Sequence, residues 1–389
     1  MRTPVAKNRY LLWLGAVLEE SEACKKPAIS LAANRWQQGL LQALCEQNIR
    51  VRVHGHVLEP AWPHGPFHVK ESNLSLSGLS NMQLCDYLNL PNLRELWILR
   101  RLRKNMARTM AEHGPPAAIL SYNLSYQNAM VALGYQNTRN IPWVPVLADG
   151  PGSVLEKHHQ ERWLQQATGR IFLSWARYET CNELPKFHLD AGITSFRPIQ
   201  QTAPEKTILY SGAMTHYAGI DLLVQAFQKI DDPYARLWIC GKGNTSSIAQ
   251  IAAKDSRIKI FGVVSEEKLN ELSVLATAFV NPRPTNLEDS LHNFPSKIVE
   301  YLSYGKPVIS SWTPGIAPEY RDVLIIVEPL TPQNLAKIIE DVLSWGSPRR
   351  NDLQTRIEEF VKSKKLWSVQ ASRLVKWLNS EVLRVDSLS

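Results

Sequence analysis

Apolar runs separated by polar segments repeat along the chain, and their lengths predict alternating strands and helices. A short run at 10–15 is followed by a helical pattern at 30–48 and by an alternating strand at 49–53. Strand, helix and strand in this order open a parallel α/β sheet. A second series of the same kind starts at 207–212, after a segment at 189–206 that we interpret as the interdomain linker. The chain is therefore expected to form two α/β domains.

Two buried strands of the first half, 117–120 and 143–147, run into polar tips that contain Asn123 and Asp149. Ligands of open parallel sheets gather at the carboxyl ends of the strands, so both side chains are candidates for a binding site. The alternative for Asp149 is a helix or turn cap before Gly150, which is a common use of aspartate.

Two other segments of the chain have a distinct composition. Residues 58–78 are rich in Pro, His, Ser and Gly, which predicts a long loop. Residues 364–385 carry Trp367, Leu374 and Trp377 at helical spacing, which predicts a final helix.

The stretch 292–309 predicts a loop, a helix and a buried strand in succession. Pro295 suits a first helical turn, because its missing N–H would have had no partner there. Gly305 stands where a left-handed helix terminator is wanted. The start of such a helix exposes unpaired N–H groups and the positive end of its dipole, so it favours an anion such as phosphate.

Three side chains make this helix start a candidate nucleotide site. Ser296 and Lys297 add a hydroxyl and a cation at the predicted first turn. Glu300 lies about one turn further along the same face, where its carboxylate would accept hydrogen bonds from ribose hydroxyls. The alternative for Lys297 is a side chain that extends into solvent.

Composition narrows the functional class only partly. The 389 residues carry a net charge of +8, which suits nucleic acid, an anionic membrane surface or phosphorylated substrates. No signature of a nucleic-acid-binding module is present, so nucleic acid is not expected as a partner. The five cysteines are scattered without a metal-binding spacing, and no apolar run is long enough to span a bilayer. We therefore expect a cytoplasmic protein without a bound metal.

The segment 93–108 predicts a basic helix with two unlike sides. Ile98 and Leu102 fall on one side, and Arg100 and Lys104 fall on the other. Trp97 lies among the basic residues, an arrangement found on helices that touch a membrane interface. This favours peripheral contact with the inner face of an anionic membrane; the alternative is a solvated helix whose apolar side packs on the sheet.

Several segments of the second half together resemble the donor domain of GT-B-fold retaining glycosyltransferases, in particular glycosyltransferase family 4. The segments that carry the resemblance follow one another in the family's order: 209–212, 219–223, 226–227, 241–243, 258–262, 281–283, 294–297, 300–302 and 305–309, with Gly315 and Glu319. The resemblance covers about residues 170–365, whereas the first half matches only in outline.

The resemblance implies two Rossmann-like domains that face each other across a cleft, with a C-terminal helix crossing back to the first domain. Residues 1–197 would form the acceptor domain, and 198–365 would form the domain that binds a nucleotide-sugar. Residues 366–389 would contain the returning helix.

Glu300 corresponds to the ribose ligand of the family. The first carboxylate of the family's Glu-x7-Glu element, which contacts the transferred sugar, falls on His292, which would replace it as a hydrogen-bonding partner or lie in a surface loop. The cations that hold the donor diphosphate in the family are absent, since Ala213 and Ala218 occupy their positions.

Lys297 and Arg283 are the expected substitutes for these cations, because both follow strand ends of the same sheet. The alternative for Arg283 is an ion pair with Glu288 or Asp289.

The remaining site residues also follow from the resemblance. Gly212 and Phe294 would contact the donor, and Gly15 would approach the diphosphate through its backbone. Asp149 stands where the family has a histidine that contacts the donor sugar, and Asn123 would assist it.

The resemblance implies a retaining, metal-independent transfer of a hexose from a UDP- or GDP-sugar to a hydroxyl of a glycan, lipid-linked or small-molecule acceptor. The setting would be biosynthesis of a bacterial-type surface polysaccharide or glycoconjugate, with no cofactor. Two alternatives remain: a non-catalytic nucleotide-sugar-binding protein, and a transferase for soluble acceptors. A dehydrogenase is disfavoured, because neither half has a complete glycine fingerprint.

Overall fold

The computed structural model describes residues 9–26, 28–76, 79–151, 153–198, 206–243 and 246–384. The chain divides into two compact units, one formed by Met1–Gly192 with Trp367–Ser389 and the other by Ile193–Leu366. Each unit contains its own sheet of mainly parallel strands, which confirms the predicted α/β class.

The described residues of the first unit form ten strands and six helices before its final helix. The strands are β1 Leu11–Leu14, β2 Val51–Gly55, β3 His68–Val69, β4 Ser72–Leu76, β5 Leu79–Leu84, β6 Tyr87–Leu88, β7 Ala118–Tyr122, β8 Trp143–Leu147, β9 Arg170–Phe172 and β10 Lys186–His188. The helices are α1 Glu20–Ala23, α2 Leu31–Glu46, α3 Arg94–His113, α4 Tyr126–Arg139, α5 Val154–Gln166 and α6 Trp175–Thr180.

The main sheet of the first unit has the strand order β10-β9-β8-β7-β1-β2-β5-β4. All neighbours are parallel except β4, which runs antiparallel to β5 at one edge. Leu11 of β1 pairs with Val51 on one side and with Ala118 on the other. All four residues of β1 are buried, as expected for a central strand covered by helices on both faces. The order reverses between β1 and β7, which makes this the switch point of the sheet.

In the second unit, the part that the structure describes forms six strands and seven helices. The strands are β11 Lys206–Ser211, β12 Ala235–Cys240, β13 Ile258–Gly262, β14 Ala278–Asn281, β15 Val308–Ser311 and β16 Ile325–Val327. The helices are α7 Ile220–Phe227, α8 Ser246–Ala252, α9 Glu266–Leu275, α10 Asp289–His292, α11 Lys297–Leu302, α12 Pro332–Ser344 and α13 Ser347–Phe360.

The sheet of the second unit is parallel throughout, in the order β13-β12-β11-β14-β15-β16. Its strands therefore follow the dinucleotide-binding order, with the switch point between β11 and β14. A single apolar core joins β11, β12 and β14 to α7 and α12, including the fully buried Phe227, Leu223 and Ile339.

The last helix, α14 (Trp367–Trp377), packs against α2 within the first unit. The Trp367 ring lies edge-on to Trp36 at 5.6 Å between ring centres. Gly39 makes this contact possible, because a Cβ there would lie 2.1 Å from the indole nitrogen of Trp367. The predicted return of the C-terminal helix to the first domain is confirmed.

Some predicted boundaries were wrong. The expected loop at 58–78 contains two short strands, because β3 pairs with the later strand β6 and β4 pairs antiparallel with its sequence neighbour β5. Residues 77–78 lie outside the described residues. Of the expected linker at 189–206, residues 199–205 lie outside the described residues as well. The predicted tail helix is interrupted: Leu366 has an extended backbone, a π-helical turn at Val361–Lys365 precedes it, and another at Leu378–Leu383 follows α14.

Candidate active site

The carboxyl edge of the second sheet brings together three of the predicted residues at the switch point. Gly212 directly follows β11, Arg283 follows the end of β14, and Lys297 begins α11. Loops at this edge are the usual ligand-binding elements of open parallel sheets. The side chains that lie there decide which ligand the edge can hold.

Lys297 turns inward over the end of β11 instead of extending into solvent. Its Nζ atom lies 3.3 Å from the Tyr210 hydroxyl and 4.3 Å from the centre of the Tyr210 ring. A Cβ on Gly212 would come within 2.4 Å of this nitrogen, and the φ of Gly212 is +155°. The backbone conformation therefore favours glycine at 212, and a side chain there would displace the lysine ammonium from its place.

Burial lowers the pKa of Lys297 to about 8, since the ammonium loses hydration there. The nearby Arg283 guanidinium lowers this pKa further by repulsion, and the Glu300 carboxylate opposes the shift. A bound diphosphate would replace the lost hydration and relieve the repulsion between the two cations. The carboxyl edge of the second sheet is thus suited to bind an anion.

Tyr301 fixes α11 against the end of β11. Its buried hydroxyl donates to the Ser211 carbonyl at 2.9 Å and accepts from the Ser211 amide at 2.8 Å. The ring also stacks on Phe279 of β14, with 4.6 Å between ring centres. These contacts hold Lys297, at the first position of the helix, in register with Gly212.

Arg283 contacts the segment before α11. Its Nη2 donates to the Asn293 side-chain oxygen at 2.6 Å, and its carbonyl accepts from the Ser311 hydroxyl at 2.5 Å. The sequence analysis considered Glu288 and Asp289, but not Asn293, as partners of Arg283. The side chain of Asp289 lies outside the described part of the chain. Asn293 is held in turn by close packing against Gly315.

The predicted helix start needs a correction. Helix α11 begins at Lys297 and has only six residues, and Pro295 precedes it in a turn closed by the Ile298 amide on the Pro295 carbonyl. Ser296 is exposed and already has helical backbone angles. So short a helix has a weak dipole, and the positive charge of this edge comes mainly from its side chains.

Two further predicted residues differ from the expectation in their local structure. His292 ends the short helix α10 instead of lying in an open loop. Phe294 is 7% exposed and packs on Tyr320 at 5.5 Å between ring centres. The Phe294 side chain therefore anchors its loop in the core of the second unit. A contact between Phe294 and the donor would have to be made by its backbone. Glu300 is exposed and lies near enough to Lys297 to affect its pKa.

In the first unit, Asn123 and Asp149 meet at the ends of β7 and β8. Asn123 adopts a left-handed backbone with φ +58°, and its Nδ2 donates to the Asp149 carboxylate at 2.8 Å. Its side-chain oxygen accepts from the amides of Ala148 and Asp149 at 2.9 and 3.2 Å. Asp149 is therefore not the cap of the following helix, whose first turn is capped by Ser153.

Gly15 lies at the switch point of the first sheet, where it is closely packed. A Cβ there would lie 2.3 Å from the side-chain oxygen of Gln37, which accepts from the Trp13 indole at 3.0 Å. Close packing thus explains why residue 15 has no side chain. The approach of the Gly15 backbone to a diphosphate stays a prediction.

Sequence reasoning missed several residues that hold the site together. Arg177 donates to the Asp149 carbonyl at 2.8 Å, and burial lowers the pKa of its guanidinium. Nothing in the local sequence around Arg177 indicates this contact. Tyr210 and Tyr301 lie in the segments that carry the family resemblance, but the sequence does not indicate the role of their side chains. The Tyr210 hydroxyl positions Lys297, and the Tyr301 hydroxyl positions α11.

Residues 205–344 match the sequence profile of the family described as glycosyl transferases group 1. No curated protein sequence matches the chain with significance. The match lies in the second unit and includes every segment that forms the cationic edge.

Several solved structures have the same fold over almost the whole chain. Sucrose-phosphate synthase from Thermosynechococcus elongatus superimposes with a TM-score of 0.68 at 17% identity, covering 96% of this chain and 99% of that one. Anabaena Alr3699/HepE in complex with UDP and glucose gives a TM-score of 0.67 at 14% identity, covering 96% and 100%. A glycosyltransferase from Rickettsia africae gives 0.69 at 14% identity, covering 96% and 98%.

The chain thus has the GT-B fold of the glycosyltransferases. The resemblance of its second half to the group 1 glycosyltransferases, predicted from the motifs, is confirmed. No helix among the described residues is both long and apolar enough to cross a bilayer.

Proposed function

We propose that this protein is a retaining glycosyltransferase that moves a hexose from a UDP- or GDP-sugar to an acceptor hydroxyl. The observation that carries the proposal is the pair of cations, Lys297 and Arg283, beside Gly212 at the switch point of a unit that matches the group 1 glycosyltransferases. Such an edge suits a nucleoside diphosphate, whose charge the two cations would balance.

On the donor side, Lys297 and Arg283 bind the diphosphate and stabilise the charge that grows on it as the sugar leaves. The backbone at Gly212 and the Ser296 hydroxyl add hydrogen bonds, and Glu300 accepts from the ribose. UDP-sugars are favoured because a solved relative of the same fold, Anabaena Alr3699/HepE, was captured with UDP and with UDP-glucose.

On the sugar side, Asp149 and His292 are proposed to contact the transferred hexose, with Asn123 orienting Asp149. Retention follows if the acceptor hydroxyl attacks on the face of the leaving group and passes its proton to a departing phosphate oxygen. The protein then contributes mainly by positioning both substrates. No metal or cofactor is needed for these steps, since Lys297 and Arg283 supply the positive charge.

The acceptor is proposed to be a glycan or lipid-linked hydroxyl in biosynthesis of a surface polysaccharide or glycoconjugate at the inner face of a membrane. The exposed cations Arg100 and Lys104 on α3 support contact with an anionic surface. A soluble small-molecule acceptor is the alternative within the same chemistry.

A thermal-shift screen across UDP-, GDP-, ADP- and dTDP-sugars tests the donor assignment. We expect one nucleotide series to raise the melting temperature clearly, because a ligand that binds only the folded state stabilises it by an amount that grows with the logarithm of its affinity. The responding donor is then incubated with candidate acceptors, with and without EDTA, and the product anomer is determined by NMR. A flat response to every nucleotide would contradict the proposal, and an inverted anomer would contradict retention.

A second candidate function is donor binding without transfer, favoured by Ala213 and Ala218 at the positions of the family's usual cations. Donor turnover that disappears in Lys297→Ala and Glu300→Ala would exclude this candidate. Tight UDP binding with no hydrolysis or transfer under any condition would support it.

A further inference from the structure

The first two turns of α3 present a large apolar surface to solvent. Leu93, Leu96 and Trp97 are 56%, 59% and 40% exposed, whereas Ile98 and Leu102 on the opposite side are fully buried. Together with Leu88 and Leu90 before the helix, the exposed residues line a groove of about 1050 Å³, which we call the α3 groove. Exposed apolar area of this kind commonly marks an interaction site.

Cations line the same groove. Arg100 and Lys104, one helical turn apart, are exposed, and within the described part of the chain no carboxylate pairs with either of them. Arg101 differs, because its Nε donates to the Asp86 carboxylate at 2.6 Å. Two cations thus stay available for an anionic partner beside the leucines.

A neighbouring loop extends the apolar surface. Trp62 and Phe67 are 49% and 51% exposed, and their rings meet edge to face at 6.4 Å. The Asn89 side chain, between Leu88 and Leu90 of the groove, donates to the carbonyls of Pro60 and Pro66 at 2.7 and 3.0 Å. The two aromatic residues are therefore fixed next to the groove.

We propose that the α3 groove, with Trp62 and Phe67, inserts into the headgroup region of an anionic bilayer. Leucine and tryptophan side chains can insert at the boundary between the headgroups and the acyl chains. Exposed cations beside them can at the same time contact the lipid phosphates. A water-soluble phosphorylated ligand would use the cations but leave the leucines exposed. An apolar protein partner would leave the cations without a counterion.

This proposal identifies the surface through which the enzyme of the proposed function would contact the membrane. Its biological role rests on that proposed function, whereas the binding to lipid itself does not. Ile98 and Leu102 keep α3 in the core, so insertion is shallow and needs no refolding of the helix. Binding to lipid does not require a donor, an acceptor or turnover.

Flotation on a density gradient tests the proposal directly. Wild-type protein is mixed with vesicles of phosphatidylcholine alone or with added phosphatidylglycerol, at low and high salt. We expect co-flotation with the anionic vesicles, weakened by salt, and little with neutral ones. Failure of the wild-type protein to float with anionic vesicles would overturn the proposal.

Two double variants separate charge from insertion. Arg100→Gln with Lys104→Gln should weaken partitioning about 30-fold, since each cation near an anionic surface contributes about fivefold. Leu93→Ser with Leu96→Ser should weaken it at least about tenfold, because two leucines no longer enter the acyl boundary.

Matched controls remove the same groups elsewhere on the surface. Lys229→Gln with Lys337→Gln loses two exposed cations of the second unit, and Leu155→Ser removes a leucine that is 69% exposed. Both controls should float like wild type, and loss of binding in the charge control equal to that in the Arg100 and Lys104 variant would overturn the proposal.

UDP binding and melting temperature are measured for every variant. Unchanged values with lost flotation support the groove as a membrane contact. A protein that floats but binds no nucleotide would refute the proposed function while leaving this inference intact. If the leucine variant instead dissociates an oligomer in sedimentation and floats normally, the groove is a contact between copies and the inference is wrong.

Discussion

The two sheets share the strand order around their switch points but differ in the charge at their carboxyl edges. In both, the strand order reverses beside the first strand, and a glycine follows that strand: Gly15 in the first unit and Gly212 in the second. At the second edge Lys297 covers the glycine, with Arg283 near it. At the first edge Asn123 and Asp149 form a hydrogen-bonded pair instead.

This difference indicates that the fold determines where a ligand can bind, whereas the loop side chains determine which ligand binds there. A cationic edge suits a diphosphate, whereas an amide–carboxylate pair suits the hydroxyl groups of a sugar. Changes at the second edge are therefore expected to weaken UDP binding, and changes at the first edge are expected to leave UDP binding intact.

The largest effect is expected from removing the cation over Gly212. Lys297→Ala should lower kcat/KM about 100- to 1000-fold, because a preorganised charge on the leaving diphosphate is lost. Lys297→Arg should restore part of the loss. Initial rates and calorimetric UDP binding measure the effect, with the exposed Lys229→Ala as control. Normal activity in Lys297→Ala would remove the basis of the donor site.

A change at Glu300 should be smaller and specific to the ribose. Glu300→Gln should weaken UDP binding about 10- to 100-fold, since a hydrogen bond to a charged acceptor contributes about 1.5–3 kcal/mol. Wild-type protein should prefer UDP over 2′-deoxy-UDP, and the variant should lose that preference. Equal discrimination by both proteins would show that Glu300 is not the ribose ligand.

Donor affinity should fall with rising pH above about 8, the pKa of Lys297 in the free protein. The protonated lysine binds the diphosphate, so its fraction and the donor affinity fall by up to about tenfold per pH unit above that value. A bound diphosphate raises this pKa, so binding near pH 8.5 should take up a proton. Calorimetry in buffers of different ionisation enthalpy measures the uptake.

Lys297→Arg is the control for this pH dependence, because arginine stays protonated throughout the range. Its donor affinity should stay level between pH 8 and 9. A fall identical to that of the wild-type protein would assign the titration to another group.

The smallest effect is expected at the first edge. Asn123→Ala should destabilise the protein by about 1–2 kcal/mol, because the side chain loses hydrogen bonds to Ala148 and Asp149 and its left-handed backbone suits alanine poorly. Urea denaturation measures the loss, and Asn123→Gly separates the backbone part. UDP affinity should not change, and a loss of UDP binding equal to that of Lys297→Ala would break the comparison.

Much of the second unit could be predicted from the sequence alone. The strands β11 and β15 and the terminator Gly305, with φ +65°, follow from local patterns. Apolar periodicity and turn chemistry act within a few residues, so a sequence contains them directly. For the same reason, the motifs were sufficient to predict the resemblance to the group 1 glycosyltransferases.

The tertiary structure alone decided the direction and partners of the site side chains. Lys297 could have extended into solvent, but Tyr210, which lies 87 positions away in sequence, receives it. Arg283 donates to Asn293, and Arg177 supports Asp149 across 28 positions. These contacts depend on which strands are neighbours in the sheet, and no local pattern records that order. The sequence thus determined the chemistry available at each edge, and the packing of distant segments determined where each charged group lies.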